Sequence, residues 1–349
     1  MTERQRSVLR MVVKSFIDTA GPVGSKYLKK EFELGMSSAT IRSTMSDLET
    51  MGFLGHPYTS AGRVPTDLGY QAFVGQLMEA AVLEEREKRI MQNELVDALN
   101  DTQALIKESS RLLARLAQML GVVLSPRMDK GVLQRLEIVP VASDSVLFVI
   151  SVEGGHVRTI LMKIESDLKR SQLDKLVPLL NERLVGLTLD EIRRTCVPRI
   201  KDLANDDTGV IQLILNRSSD LFTEEPQSRT VQFDGTTYML SQPEFSNSAP
   251  LRDLIEFLDD ESLVVRLMED DLSHPPGRAR IQIGCNTGNR KSEQFLERIS
   301  IVTAPYIRSN MRGTIGVIGP TRMNYARAVA LVEGMATLMS ISGSHNNLA

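Results

Sequence analysis

Ser37-Ser38-Ala39-Thr40-Ile41-Arg42-Ser43-Thr44-Met45-Ser46-Asp47-Leu48 is the stretch that decides how this 349-residue chain is read. Its apolar residues Ile41, Met45 and Leu48 fall at helical spacing and mark one buried stripe. Ser38, Ala39, Arg42, Ser43 and Ser46 share the opposite side. Ser37 or Ser38 opens the helix as its cap, and Gly52 ends it after about Met51. A helix whose outer residues are small and polar can sink into a major groove, where an arginine in its first turns forks onto a guanine edge. Ser37, Ser38 and the helix N-terminus offer donors to phosphate.

The flanks complete a pattern. Residues 2–18 read as a helix with Val8, Leu9, Val12, Val13 and Phe16 on one face, stopped by Gly21-Pro22. Ser25 caps a short helix to Phe32 with Tyr27 and Leu28 facing inward, and Gly35 turns the chain. After the third helix, residues 53–58 and 63–65 read as two short strands around a loop. That loop carries Thr59 and Ser60 with Arg63 at its tip, a set suited to phosphate or minor-groove contact. Lys26 adds a backbone contact; Lys29 and Lys30 are equally well read as a solvated face. Arg42 alone is no more than a solvated charge, but three helices followed by this β-loop predict a winged helix-turn-helix over residues 1–78.

Behind it, residues 83–119 predict two helices broken near Asn100-Asp101. Residues 135–141, 145–152 and 157–164 are β-branched runs and predict a three-strand meander. Residues 167–222 return to amphipathic helices, 229–270 are mixed, and strands resume at 280–284, 298–306 and 313–319 before a last helix at 323–339. A strand set interrupted by helices and then resumed predicts a multidomain α+β chain, one α+β domain carrying another inserted into it. Residues 342–349 are expected to be a disordered tail.

Composition limits the alternatives. Hydrophobic residues are 42% and charged residues 24%, an ordinary globular balance, and the net charge of -3 disfavours a protein that coats nucleic acid non-specifically. Residues 1–70 hold nine Lys+Arg and seven Asp+Glu, so the head is net +2 and the remainder about -5. No apolar run reaches membrane-span length, and Met1 to Arg10 is too polar for a secretory signal, so a cytoplasmic protein with no membrane partner is expected. Cys196 and Cys285 lack ligand spacing, so no metal or other cofactor is expected. His156 and His274 have no nucleophile or carboxylate at useful spacing, which argues against an enzyme. Gly284 to Arg290 lacks the ending of a phosphate loop and reads as a tight turn; Gly319-Pro320-Thr321-Arg322 reads as a helix start.

The segments Ser37 to Arg42 with Asp47-Leu48-Glu49, Thr59 to Pro65 with Gly69-Tyr70, and Gly316 to Ala326 resemble the heat-inducible transcription repressor family HrcA. Ser109-Arg111-Leu112-Leu113 and Leu124-Ser125-Pro126 extend the resemblance over nearly the whole chain. The turn at Gly284 to Gly288 departs from the family's usually acidic one. The resemblance implies a winged helix at 1–78, a GAF-like domain split between 79–165, which includes a helical linker, and 275–341, and a dimerisation domain inserted at 166–274. It implies that a homodimer binds an inverted-repeat operator in double-stranded DNA upstream of chaperone operons, is inactivated by heat, and is kept active by a GroE-type chaperonin. Carried over, Ser38, Thr40, Arg42, Ser43 and Ser46 read the operator, and Ser60 to Arg63 support them. The alternative is a winged-helix repressor that uses the GAF-like domain to sense a metabolite.

Overall fold

The computed structural model describes residues 1–32, 35–57, 62–99, 101–142, 144–164, 170–203, 208–223, 229–246, 248–269, 274–284 and 293–341. The expected tail at 342–349 lies outside them, as do Cys285 to Arg290.

The chain opens with α1 (Glu3–Thr19), α2 (Ser25–Glu31) and α3 (Ser38–Thr50), then an antiparallel pair of two-residue strands, β1 (Leu54–Gly55) and β2 (Val64–Pro65). Helix α4 (Asp67–Ala72) continues as one π-helical turn, Phe73–Leu77. Val8, Leu9, Val12 and Val13 of α1 are buried with Leu28, Ile41, Met45 and Leu48. Two local expectations fail. Gly24, not Ser25, is the N-cap of α2 and contributes no side-chain bond, and Tyr27 is 41% exposed while Leu28 alone faces inward. A seven-residue helix buries one narrow stripe, and Tyr27 sits just off it.

Helices α5 (Glu85–Leu95) and α6 (Thr102–Ala117) follow, separated by a short 3-10 turn at Val96–Ala98, close to the predicted break. The chain then enters β3 (Leu120–Leu124), β4 (Leu133–Ala142), β5 (Ser145–Val152) and β6 (His156–Lys163). Helices α7 (Arg170–Leu184), α8 (Leu189–Ile200) and α9 (Val210–Phe222) lead to β7 (Val231–Asp234). After α10 (Thr236–Leu240), α11 (Ser248–Asp259) and α12 (Glu261–Met268) come β8 (Arg280–Ile283), α13 (Glu293–Leu296), β9 (Ile299–Arg308), β10 (Met311–Pro320) and α14 (Tyr325–Ile341).

Two larger sheets result. One is five-stranded and antiparallel in the order β7-β3-β10-β9-β8. Both its faces are covered: Val123, Val302 and Ile315 pack with Leu112, Leu113, Tyr325 and Leu331, whereas Leu120, Val122, Leu124 and Ile301 pack with Phe245, Leu254, Phe257 and Phe295. The other is the meander β4-β5-β6. Its inner residues Leu136, Ile138, Phe148 and Ile150 share a separate core with Leu173, Leu180, Ile192 and Ile211 of the helices that follow.

The meander therefore does not open the sheet that β8, β9 and β10 resume, as the sequence reading at 79–165 and 166–274 had it. Strands β3 and β7 do that, and the chain between them forms the inserted body. The reason is burial. Strand β5 alternates buried and open residues throughout and β4 does so over Leu136 to Val139, so the pair needs one helical layer, which α7 to α9 supply downstream.

Candidate nucleic-acid interface

Helix α3 is held by its start. Ser37 is extended (φ -72°, ψ 152°), and its hydroxyl accepts the Thr40 N–H at 3.1 Å. The Ser37 and Thr40 hydroxyls are also bonded to each other at 2.9 Å. Gly35, with φ +60°, makes the turn out of the preceding segment. Ile41, Thr44, Met45 and Leu48 are buried, and the Thr44 hydroxyl donates to the Thr40 carbonyl at 3.0 Å. Ala39, Arg42, Ser43 and Ser46 are exposed, with Ser38 half-buried at the first turn. Arg42 is in none of the ion pairs made among the described residues, so its guanidinium stands in solvent. Lys26 is exposed in the first turn of α2. Thr59 and Ser60 lie outside the described residues.

Arg63 is placed differently from the expectation of a free loop tip. Its main chain pairs with Val23, N–H to carbonyl at 2.8 Å one way and 2.9 Å the other. Its guanidinium forms an ion pair with Glu49, in the last turn of α3, at 2.7 Å. Glu49 also takes a hydrogen bond from His56, and these two partners hold its carboxyl below the usual carboxylate range. One carboxylate thus ties α3 to both arms of the β-loop. Gly62 fits because a Cβ there would stand 2.5 Å from the Val23 carbonyl oxygen. Thr66 accepts the Gly69 N–H at 3.1 Å and donates to the Gly52 carbonyl at 2.6 Å, closing the loop onto α4. The segment from Gly62 to Gly69 is thus tied to Val23, Glu49 and Gly52.

The head is joined to the body through Gly316 to Ala326, the second stretch that carries the family resemblance. The Tyr70 and Tyr325 rings lie 5.9 Å apart, and Arg322 donates to the Ile17 carbonyl at 3.3 Å. Reading Arg322 as part of a helix start missed this, because its partners are 78 and 305 residues away in sequence. Tyr27 is an exposed phenol beside Lys26.

The model for the HrcA protein C terminal domain matches residues 103–329, which span both the five-stranded sheet and the inserted body. The chain belongs to the HrcA family. Two relatives called heat-inducible transcription repressor HrcA, from Chlorobium luteolum and Prosthecochloris aestuarii, are each 36% identical to it, over 99% of this chain and 98% and 99% of their own. A third HrcA, from Chlorobaculum tepidum, is 35% identical over 99% of both chains. A solved structure described as a hypothetical protein has a TM-score of 0.60 at 23% identity, covering 98% of each chain, and shows that the HrcA chain shares its fold. No helix among the described residues is long and apolar enough to cross a membrane.

Proposed function

We propose that this chain, a transcription repressor, binds an inverted-repeat operator in double-stranded DNA as a homodimer, with one α3 in each half-site, and occludes the promoter. Residues 1–78 act as its winged helix-turn-helix head. The observation that carries this reading is the open outer row of α3, Arg42, Ser43 and Ser46, over a fully buried stripe in a chain of the HrcA family. Arg42 forks onto a base edge, while Lys26, Ser37, Ser38, Thr59 and Ser60 approach phosphate. Arg63 holds the base of the β-loop to Glu49 and acts on DNA through that loop's position.

In this reading the five-stranded sheet with α6 and α14 is the GAF-like domain, and the body between β3 and β7 is the dimerisation domain. The outer face of the meander supports the second assignment. Val139, Leu147 and Leu161 fall in one cross-strand row, and Val139, Val157 and Leu161 are 43%, 58% and 62% exposed. An apolar sheet face of this kind calls for a partner surface, and a two-fold dimer gives the two heads the symmetry of an inverted repeat. Heat shifts the dimer to an inactive form, a step supported by the heat-inducible character in the relatives' names, and a GroE-type chaperonin restores it. The cytoplasm is the compartment this role requires.

One observation favours a metabolite-responsive repressor instead, an apolar groove of about 680 Å³ lined by Leu83, Met91, Gly334 and Leu338. Thermal stabilisation by a cell metabolite would support that reading.

The test is selection of duplexes from a random pool by the full-length protein, then fluorescence-anisotropy titration of the selected sequence and a scrambled control at fixed physiological salt. An inverted repeat bound about a hundredfold or more tighter than the control is expected. Equal weak binding of both duplexes, with and without added chaperonin and nucleotide, would overturn the reading.

A further inference from the structure

The last turn of α1 contains no basic residue. The carbonyls there need donors, and a cation is favourable where the helix dipole ends. The Gly21 N–H, which would ordinarily reach back to Ile17, bonds the Thr19 hydroxyl at 3.4 Å instead. The Ile17 carbonyl takes its donor from Arg322, on the loop between β10 and α14.

Arg322 is itself held on its other edges. Its Nε donates to Glu244 Oε1 at 2.5 Å, and its Nη2 donates to Glu244 Oε2 at 3.3 Å and to Gln242 Oε1 at 2.8 Å. A forked contact with one carboxylate fixes the plane of the guanidinium as well as its position. The side chain is only 15% exposed. Its anchors are rigid in turn: the Phe245 ring beside Glu244 packs on Phe295 at 6.0 Å, and the Tyr325 hydroxyl donates to the Thr321 carbonyl at 2.5 Å. The third Arg322 direction, Nη1 to Ile17, is the one that leaves the body and meets the head.

We propose that Arg322 is a positioning residue that sets the angle of the DNA-reading head on the body and thereby fixes the half-site spacing the dimer accepts. This rests on the dimeric, inverted-repeat reading above. A contact within one half-site does not depend on where the second head lies. Simultaneous engagement does, because one added base pair moves the half-sites about 3.4 Å along the duplex and about a tenth of a turn around it. A head held through a locked guanidinium cannot follow that shift, whereas a head that swivels can.

The test uses the inverted repeat selected by the full-length wild-type protein, rebuilt with its spacer shortened or lengthened by one and two base pairs, beside a duplex carrying one half-site. Wild type is expected to lose about tenfold in affinity for each added or removed base pair, consistent with mismatch costs in specific sites. Arg322→Gln and Glu244→Gln are expected to bring that loss below about threefold while half-site affinity stays within about twofold of wild type; Arg322→Lys, which keeps the charge but not the fork, falls between. Spacing preference as sharp as wild type in folded Glu244→Gln and Arg322→Gln overturns the proposal. Loss of half-site binding in step with operator binding overturns it too, since Arg322 would then support the head's own fold. Should Arg322→Gln fail to fold, Glu244→Gln decides alone. If wild type selects no inverted repeat, it is the dimeric reading that fails.

Discussion

The Tyr70 and Tyr325 rings meet with centroids 5.9 Å apart and planes inclined at 57°, bringing together two sequence motifs that lie 255 positions apart in the numbering. Their hydroxyls are treated unequally. That of Tyr325 donates to the Thr321 carbonyl at 2.5 Å and bonds the Ser300 hydroxyl at 2.8 Å, while that of Tyr70 is buried with no hydrogen-bond partner among the described residues.

Tyr70→Phe is therefore expected to be neutral or stabilising by up to about 1 kcal/mol, because it removes a buried donor that no described residue satisfies. Tyr325→Phe removes a hydroxyl that donates to the Thr321 carbonyl and accepts from the buried Ser300 hydroxyl, and is expected to cost about 1–3 kcal/mol. Denaturant unfolding of both variants reads the difference directly. Equal effects would show that the two hydroxyls are in like surroundings.

Arg42→Ala tests the reading helix. It removes an exposed side chain with no partner in the ion pairs of the described residues, so melting temperature should not move. Operator affinity should fall by about 1–3 kcal/mol, roughly five- to 150-fold, with non-specific binding nearly unchanged. A uniform loss on operator and scrambled duplex alike would make Arg42 a phosphate contact.

Gly62→Ala should cost about 1–3 kcal/mol, because the new Cβ would stand 2.5 Å from the Val23 carbonyl oxygen and one of two backbones must move. Gly55→Ala in β1 is the control. Its nearest neighbour would be Thr66 at 3.7 Å, an ordinary contact, so an effect within about 0.5 kcal/mol is expected. Thermal melts of the two proteins compare the sites.

Glu49 predicts a pH dependence with a definite sign. Its carboxyl is held low in the folded protein by His56 and Arg63, so the unfolded chain binds the proton more readily. The contribution is complete above the ordinary carboxylate value, about 4.3, and is lost as pH falls through the lower folded value. The melting-temperature gap between wild type and Glu49→Gln should thus be widest near neutrality and close on acidification. A gap constant from about pH 7 to pH 3 would rule the tether out as an ionised carboxylate.

Much of the head was legible in the sequence because its signals are local. Ser37 caps α3 through a partner three residues away, and Ile41, Met45 and Leu48 repeat at helical spacing over a hydrophobic core. Sequence alone likewise marked the meander strand β5 at its full extent, since its burial alternates residue by residue. It could not reveal β3. All five of that strand's residues are buried, because Leu120 and Val122 pack beneath one helical layer and Val123 beneath another, and a short apolar run without alternation carries no period. With β3 unseen, the meander was joined to the wrong sheet.

The chain by itself thus determined the three helices and the outer row of α3, whose forming interactions lie within a few residues of one another, and marked the β1–β2 pair by its short apolar runs. Only the tertiary structure decided which strands share a sheet, that Arg63 turns back onto Glu49, and that Arg322 reaches Ile17 across the head–body joint. Those outcomes depend on a carboxylate or a carbonyl far along the chain coming within hydrogen-bond distance, and no residue spacing encodes that approach.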